Sequence, residues 1–328
     1  MENILKQDVD IAIKDAIIRT VAFFDMFDYP LTSWEIWKYL FDEKGSGEQI
    51  ELKKILEKLE SAEMQKILEQ KESFYFLAGK DDLVETRKAR YNFTDKKFDR
   101  AIRLCKIYKL IPWIKLIGVV NSYGSQNMKE EGDIDLFIIT ATDRIWSVRF
   151  FCVLVTKLLG LRPQKNNKKN KICLSFYVSE DRLDLSDLML PKTAEIKIDI
   201  VLIYWFCGLT PIYDPCNIYS KFNQENEWRK NYLPNWQPIS SAYVNRNSKA
   251  LPLFYYKAVD FCFGWLEVSF KKLQHSLMAN ELRKMMNLDT RVMINDQILK
   301  LHSNDKREEY NKKHELLFRN IINSDTNV

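Results

Sequence analysis

Histidine is scarce in this chain, with three residues in 328, at 275, 302 and 314, and the six cysteines at 105, 152, 173, 207, 216 and 262 include no Cys-x-x-Cys pair. A zinc centre or a disulfide framework is therefore not expected, and the thiols suit a reducing cytoplasm. A dominant charge is also missing. Lys and Arg number 50 against 45 acids, and a net charge of +5 is too small to argue for nucleic acid by itself. No Gly-x-x-x-x-Gly-Lys-Ser loop, Gly-x-Gly-x-x-Gly turn or Ser-His-Asp set is present. The longest apolar run, Ile200 to Leu209, is about half of what a bilayer span needs. The first residues, Met1 to Asp8, lack the apolar core of a signal peptide. These absences point to a cytoplasmic protein with no membrane association. A hydrophobic content of 46% and an aromatic content of 13% supply packed cores, and the length predicts two or three domains.

Apolar positions from Val9 to Phe24 recur mostly at helical spacing and stop at Asp28-Tyr29-Pro30. Thr32 or Ser33 then caps a second helix, and Glu35 completes a capping box if Thr32 is the cap. Leu52, Ile55, Leu56 and Leu59 mark a third helix. Strands near Gln65 to Glu69 and Phe74 to Leu77, around the turn Gln70-Lys71-Glu72-Ser73, complete a pattern resembling a winged helix-turn-helix over residues 1–80. The third helix is poor in excess positive charge, with Glu48, Glu51, Glu57, Glu60 and Glu63 outnumbering Lys53, Lys54 and Lys58. DNA binding by this region is thus disfavoured against packing or protein contact. Residues 81–111 read as a basic helical connector; over 81–115 ten basic residues face five acids. A solvated connector and a phosphate-facing wall are the two readings of that bias.

From Trp113 to Tyr177 the pattern is strand, turn, strand, helix, strand. Ile114 to Val120 and Asp133 to Thr140 are the first two strands. Asp143 is placed to cap the helix, which closes at Gly160, and Ile172 to Val178 is the third strand. The rest, with helix signals at Thr193 to Cys207, Ser220 to Asn231, Leu253 to Lys284 and from Asp305, predicts a mainly helical region over 191–328.

The feature that carries chemistry is Tyr123-Gly124-Ser125 followed by Asp133-Ile134-Asp135 at the head of an apolar strand. Side chains on a strand alternate, so Asp133 and Asp135 share a side while Ile134 and Leu136 enter the core, with the two Cα atoms roughly 7 Å apart. Two carboxylates so placed repel each other unless a cation lies between them. An ordinary strand end is the bland alternative.

A Gly-Ser turn and an Asp-x-Asp strand, with apolar strands on either side, resemble the signature of the DNA polymerase β-like nucleotidyltransferase superfamily over residues 112–180. Phe24 to Thr32, Lys171 to Leu174 and Asn226 to Arg229 resemble stretches of an uncharacterised bacterial group that joins a winged-helix start to such a domain. The resemblance implies an α/β (α+β) core with a mixed sheet over 112–190, and transfer of a nucleoside monophosphate from a nucleoside triphosphate to an acceptor that could be a small molecule, a protein side chain or an RNA end. It implies Mg²⁺, two ions, on Asp133 and Asp135, with Gly124 and Ser125 on the phosphates. Active members usually carry a third acid on a following strand. None stands in Ile172 to Val178, where Ser175 could occupy that position, and Asp181 and Asp184 lie just beyond. A degenerate nucleotide-binding or regulatory protein, acting through the winged-helix region, is the alternative. Lys129 to Gly132 could border a triphosphate, and Arg144 or Arg149 could meet phosphate. Asp199 reads as a surface or paired residue, and His302 as a structural histidine at a helix end.

Overall fold

The computed structural model describes residues 2–120, 127–164, 167–239, 244 and 251–326, and side chains from residue 10 to residue 324. Helix α1 (Glu2–Asp25) is followed by the short strand β1 (Leu31–Thr32) and helix α2 (Ser33–Lys38). Thr32 is the cap: its Oγ1 accepts from the Glu35 amide at 3.2 Å while Glu35 accepts from the Thr32 amide at 2.9 Å. Helices α3 (Leu52–Leu59) and α4 (Ala62–Ile67) and strands β2 (Leu68–Lys71) and β3 (Phe74–Leu77) complete this part. The three strands form a sheet in the order β1-β3-β2. The first expected strand starts at Leu68 because Ser61 caps a helical turn that takes up Gln65 to Ile67. Glu72 and Ser73 make the hairpin turn at φ of 50° and 68°, a left-handed pair matched to the twist of the strands.

Helix α5 (Leu83–Tyr108) carries the basic run. Three of its cations are buried rather than solvated. Arg87 makes paired hydrogen bonds to Glu35, both at 2.8 Å, Arg90 donates to Asn127 Oδ1 at 2.7 Å, and Lys97 Nζ donates to the Gly132 carbonyl. The helix thereby ties the first sheet to the second through charge-assisted contacts.

The second sheet has six strands in the order β7-β4-β5-β6-β9-β8: β4 (Ile114–Val120), β5 (Ile134–Thr140), β6 (Ile172–Ser179), β7 (Thr210–Tyr213), β8 (Val292–Ile294) and β9 (Ile298–Leu301). Among the described residues only β5 and β6 run parallel, joined by α6 (Ile145–Leu158); the other pairings are antiparallel. The architecture is mixed α/β with a mixed sheet. Half of its strands, β7, β8 and β9, come from the region expected to be mainly helical. Strands of three or four residues leave too short an alternation to announce themselves.

Alternation separates two cores. Ile117, Val119, Ile134, Leu136, Ile138, Ile172 and Leu174 pack on α5 and α6. Leu116, Val120, Phe137, Ile139, Phe176 and Val178 pack on α7 (Ile200–Gly208) and α8 (Ile218–Glu225). Helix α7 also enters the core of the first sheet, where Ile203 and Tyr204 meet Phe23 and Phe24. The long helical run expected over 253–284 is broken into α9 (Leu253–Phe263), α10 (Glu267–Ser276) and α11 (Asn280–Met285), and the last described helix, α12 (Arg307–Thr326), lies against α1. Asp143 does not cap α6; it sits at φ 56°, and Arg144 is the first cap position. The first-turn amides of Trp146 and Ser147, which have no acceptor within the helix, donate instead to Glu267 of α10, at 2.8 and 2.9 Å, so a carboxylate distant in sequence meets the positive end of the helix dipole. No helix among the described residues is long and apolar enough to cross a membrane.

Candidate functional site

Asp133 and Asp135 flank Ile134, the first residue of β5, and Ile134 and Leu136 are buried on the opposite face against α5 and α6. Both aspartates open onto one cavity of about 720 Å³. A carboxylate oxygen of each, together with Cys173 Sγ, lie within 4.8 Å of one another. Cys173 is brought there by register, since it stands directly opposite Asp135 on the parallel strand β6. Gly124 and Ser125 lie outside the described residues.

A bulge shapes the next step along β6. Asp135 pairs with Cys173, but Phe137 pairs with Phe176, so β6 uses three residues where β5 uses two. The extra residue turns Ser175 and Phe176 toward the same side, and both line the cavity. Ser175 Oγ accepts from Cys173 Sγ at 3.3 Å and forms a close hydrogen bond with His302 Nε2. His302 is not at a helix end; it follows the last residue of β9, which pairs antiparallel with β6, and it lines the cavity. The strand that delivers it is one that periodicity did not reveal, so its place in the site was hidden with it.

Burial, and then the charge of Lys300, bring the His302 imidazole down to about 4, which keeps it neutral near pH 7. The neutral ring accepts from the Ser175 hydroxyl at Nε2 when its own proton sits on Nδ1. Burial, followed by the field of Asp135, raises the Cys173 thiol well above its usual range.

Behind His302 lies a buried charge cluster. Lys300 Nζ donates to Asp305 Oδ2 at 2.7 Å and to the Thr290 carbonyl at 2.6 Å. Arg307 reaches Asp305 Oδ2 at 2.9 Å, Asp199 Oδ2 at 3.0 Å and the Leu188 carbonyl at 2.8 Å. Asp199 is fully buried, and it is the cap of α7 rather than a residue within it: Oδ1 accepts from the Leu202 amide at 3.1 Å and from Asn311 Nδ2 at 2.9 Å. Burial works against the charge of Asp305, but Arg307 and Lys300 outweigh it and hold the carboxyl at about 2. Burial and the neighbouring Arg307 bring Lys300 to about 8. The cluster fixes the segment from Leu301 to Arg307, which forms one wall of the cavity.

Lys129, Lys168 and Lys306 stand on the rim. Lys97 supports the loop ahead of Asp133 through its bond to Gly132. The remaining residues singled out from the sequence lie elsewhere. Arg144 pairs with Asp260 at 3.0 Å, Arg149 donates to Gln274, Asp181 accepts from Gln297 at 3.0 Å, and Asp184 accepts from the Ser186 amide at 2.9 Å. None of these four lines the cavity. Glu130 and Glu131 both pair with Lys169.

The donor set can be tested against a divalent cation. Two carboxylates at one point of the cavity match Mg²⁺, which commonly takes one or two protein carboxylates and completes its shell with water and phosphate oxygens. Mg²⁺ takes oxygen rather than sulfur ligands, so Asp133 and Asp135, not Cys173, are the residues that fit the ion. The chain matches no family model, no curated protein and no solved structure.

Proposed function

We propose that this chain is a Mg²⁺-dependent nucleotidyltransferase that moves a nucleoside monophosphate from a nucleoside triphosphate to an acceptor, releasing pyrophosphate. The observation that carries this reading is the convergence of Asp133 and Asp135 at one point of a cavity rimmed by Lys129, Lys168 and Lys306. When bound, the cation would neutralise charge building on the phosphoryl oxygens. The protein's own groups do the rest. Asp133 and Asp135 supply the hard oxygen ligands, and the rim lysines attract and orient a polyphosphate. The apolar wall of Val201, Leu202 and Trp205 offers a surface for a base and shields the reaction from water.

On this reading residues 112–190 with β7 and β9 form a nucleotidyltransferase core, and residues 1–80 a winged-helix-like domain whose hairpin β2-β3 is the wing. The third helix remains a poor partner for DNA. Lys58 is buried between Asp10 and Glu63, so the exposed cations of this helix, Lys53 and Lys54, stand among the exposed acids Glu51, Glu57 and Glu60, an unfavourable balance for phosphates.

One observation favours a second reading, a nucleotide-binding protein without transfer activity. The β6 positions facing Asp135 carry Cys173 and Ser175 rather than an acid, and Asp181 and Asp184 are committed elsewhere. Incubating the protein with labelled nucleoside triphosphates, Mg²⁺ and a cell extract separates the two. The transferase reading requires pyrophosphate release and label on an acceptor, both lost in Asp133→Asn. Binding of triphosphate with neither product supports the second reading.

A further inference from the structure

The Ser175–His302 pair is a nucleophile joined to a base within the candidate site. The two residues are separated by 127 positions in sequence and are brought together by the β6–β9 pairing and the bulge at Ser175. A hydroxyl becomes a useful nucleophile when a neutral imidazole within hydrogen-bond reach can take its proton. Both conditions hold here. Ser175 is half-buried and lines the cavity, and its Oγ is one 3.3 Å step from Cys173, whose Sγ lies within 4.8 Å of the Asp133 and Asp135 carboxylate oxygens. The hydroxyl therefore sits beside the point at which a triphosphate would be gripped.

We propose that Ser175 is itself a nucleotidyl acceptor, with His302 as its general base and a nucleoside triphosphate in the same cavity as donor. This rests on the function proposed above, and it gives β6 a chemical role where an acid is missing. In the step, the Ser175 O–H bond breaks and its proton passes to His302 Nε2. Oγ forms a bond to the α-phosphorus, and the bond from that phosphorus to the bridging oxygen breaks. Pyrophosphate leaves with the electron pair, and the product is a phosphodiester of serine. Asp305 is the charge nearby that favours the imidazolium so formed, and the open cavity lets the proton pass on to solvent. Lys300 and Arg307 oppose the imidazolium, and the negative triphosphate offsets them while it is bound.

The test is intact-mass and peptide mass spectrometry of the full chain after incubation with Mg²⁺ and each of the four ribonucleoside triphosphates in turn. The expected result is a gain of one nucleoside monophosphate on the peptide containing Ser175, with pyrophosphate released in equal amount. Ser175→Ala should abolish the adduct and Ser175→Thr, which keeps a hydroxyl, should retain it, each checked for folding by circular dichroism. His302→Gln should slow its formation by about 10²-fold or more, the usual contribution of a positioned base. An adduct on another residue, or one that persists in Ser175→Ala, overturns the proposal. So does an absence of adduct with all four triphosphates, and a melting-temperature shift of the same samples then tells which idea failed. A Mg²⁺-dependent shift without adduct removes the nucleophile and keeps the binding site, and no shift removes both.

Discussion

Asp199→Ala tests whether the charge cluster behind the cavity holds that wall in place. The carboxylate is fully buried and accepts from four donors: the amides of Leu190 and Leu202, Arg307 Nη1 and Asn311 Nδ2. Truncation removes a helix cap, a loss of about 1 kcal/mol. It also leaves Arg307 buried with only Asp305 as counter-charge; breaking a buried pair from one side costs about 3–5 kcal/mol. The two losses share one side chain and are not additive, so the expected destabilisation is about 4 kcal/mol. For a chain of 328 residues that lowers the melting temperature by about 6 °C. Urea unfolding followed by tryptophan fluorescence gives the free energy directly, and calorimetry gives the shift. Asp199→Asn keeps an oxygen for the amides and should lose less. A loss below about 1 kcal/mol in the alanine variant would refute the reasoning, because it would mean that Arg307 finds water or another partner at no cost.

Acid sensitivity should follow from the buried histidines. Burial holds His302 and His314 at about 4 in the folded chain, below the usual value near 6.5. Above pH 6.5 both states are neutral and neither group matters. As pH falls from 6.5 to 4 the unfolded chain gains protons that the native chain refuses, so stability should drop by up to about 2.7 kcal/mol per pH unit; denaturant midpoints at pH 7.5, 6 and 5 measure it, and His302→Asn should halve the slope. Asp305, held at about 2, contributes stability that is complete above pH 4 and is lost as pH falls toward 2, visible as a shallower acid transition in Asp305→Asn. Glu267→Ala removes the distant cap on α6 and should cost about 1–2 kcal/mol, with Glu267→Gln losing less; equal stability of all three proteins would contradict the capping role. Arg87→Met leaves Glu35 buried without its guanidinium and should cost about 3 kcal/mol or more, and the double variant Arg87→Met with Glu35→Leu should recover much of it.

The sequence was most legible where one local signal acted alone. The Thr32–Glu35 capping box, the third helix over Leu52–Leu59, the strand Ile114–Val120 and the stop of α6 at Gly160, with φ 64°, are each specified by residues within a few positions. The same holds for Asp133 and Asp135, whose shared side follows from alternation. What stayed hidden depends on partners far along the chain. The basic run of α5 looked solvated because Glu35, Asn127 and the Gly132 carbonyl, which engage its cations, lie on other elements. Asp143 looked like a cap because Glu267, which meets those amides, is more than a hundred residues away. Ser175 was noticed as an absence of acid, whereas its partner His302 depends on a four-residue strand and on a bulge that breaks the two-residue period.

The most direct test of the central idea, that Asp133 and Asp135 together hold a cation for a triphosphate, is the melting temperature of the protein with each nucleoside triphosphate, in Mg²⁺ and in EDTA. At a ligand concentration one hundred times the dissociation constant the stabilisation is about 2.7 kcal/mol, or about 4 °C here. The account predicts that shift in Mg²⁺ alone, and its loss in both Asp133→Asn and Asp135→Asn. A shift of equal size in EDTA, or one undiminished in either variant, would contradict it.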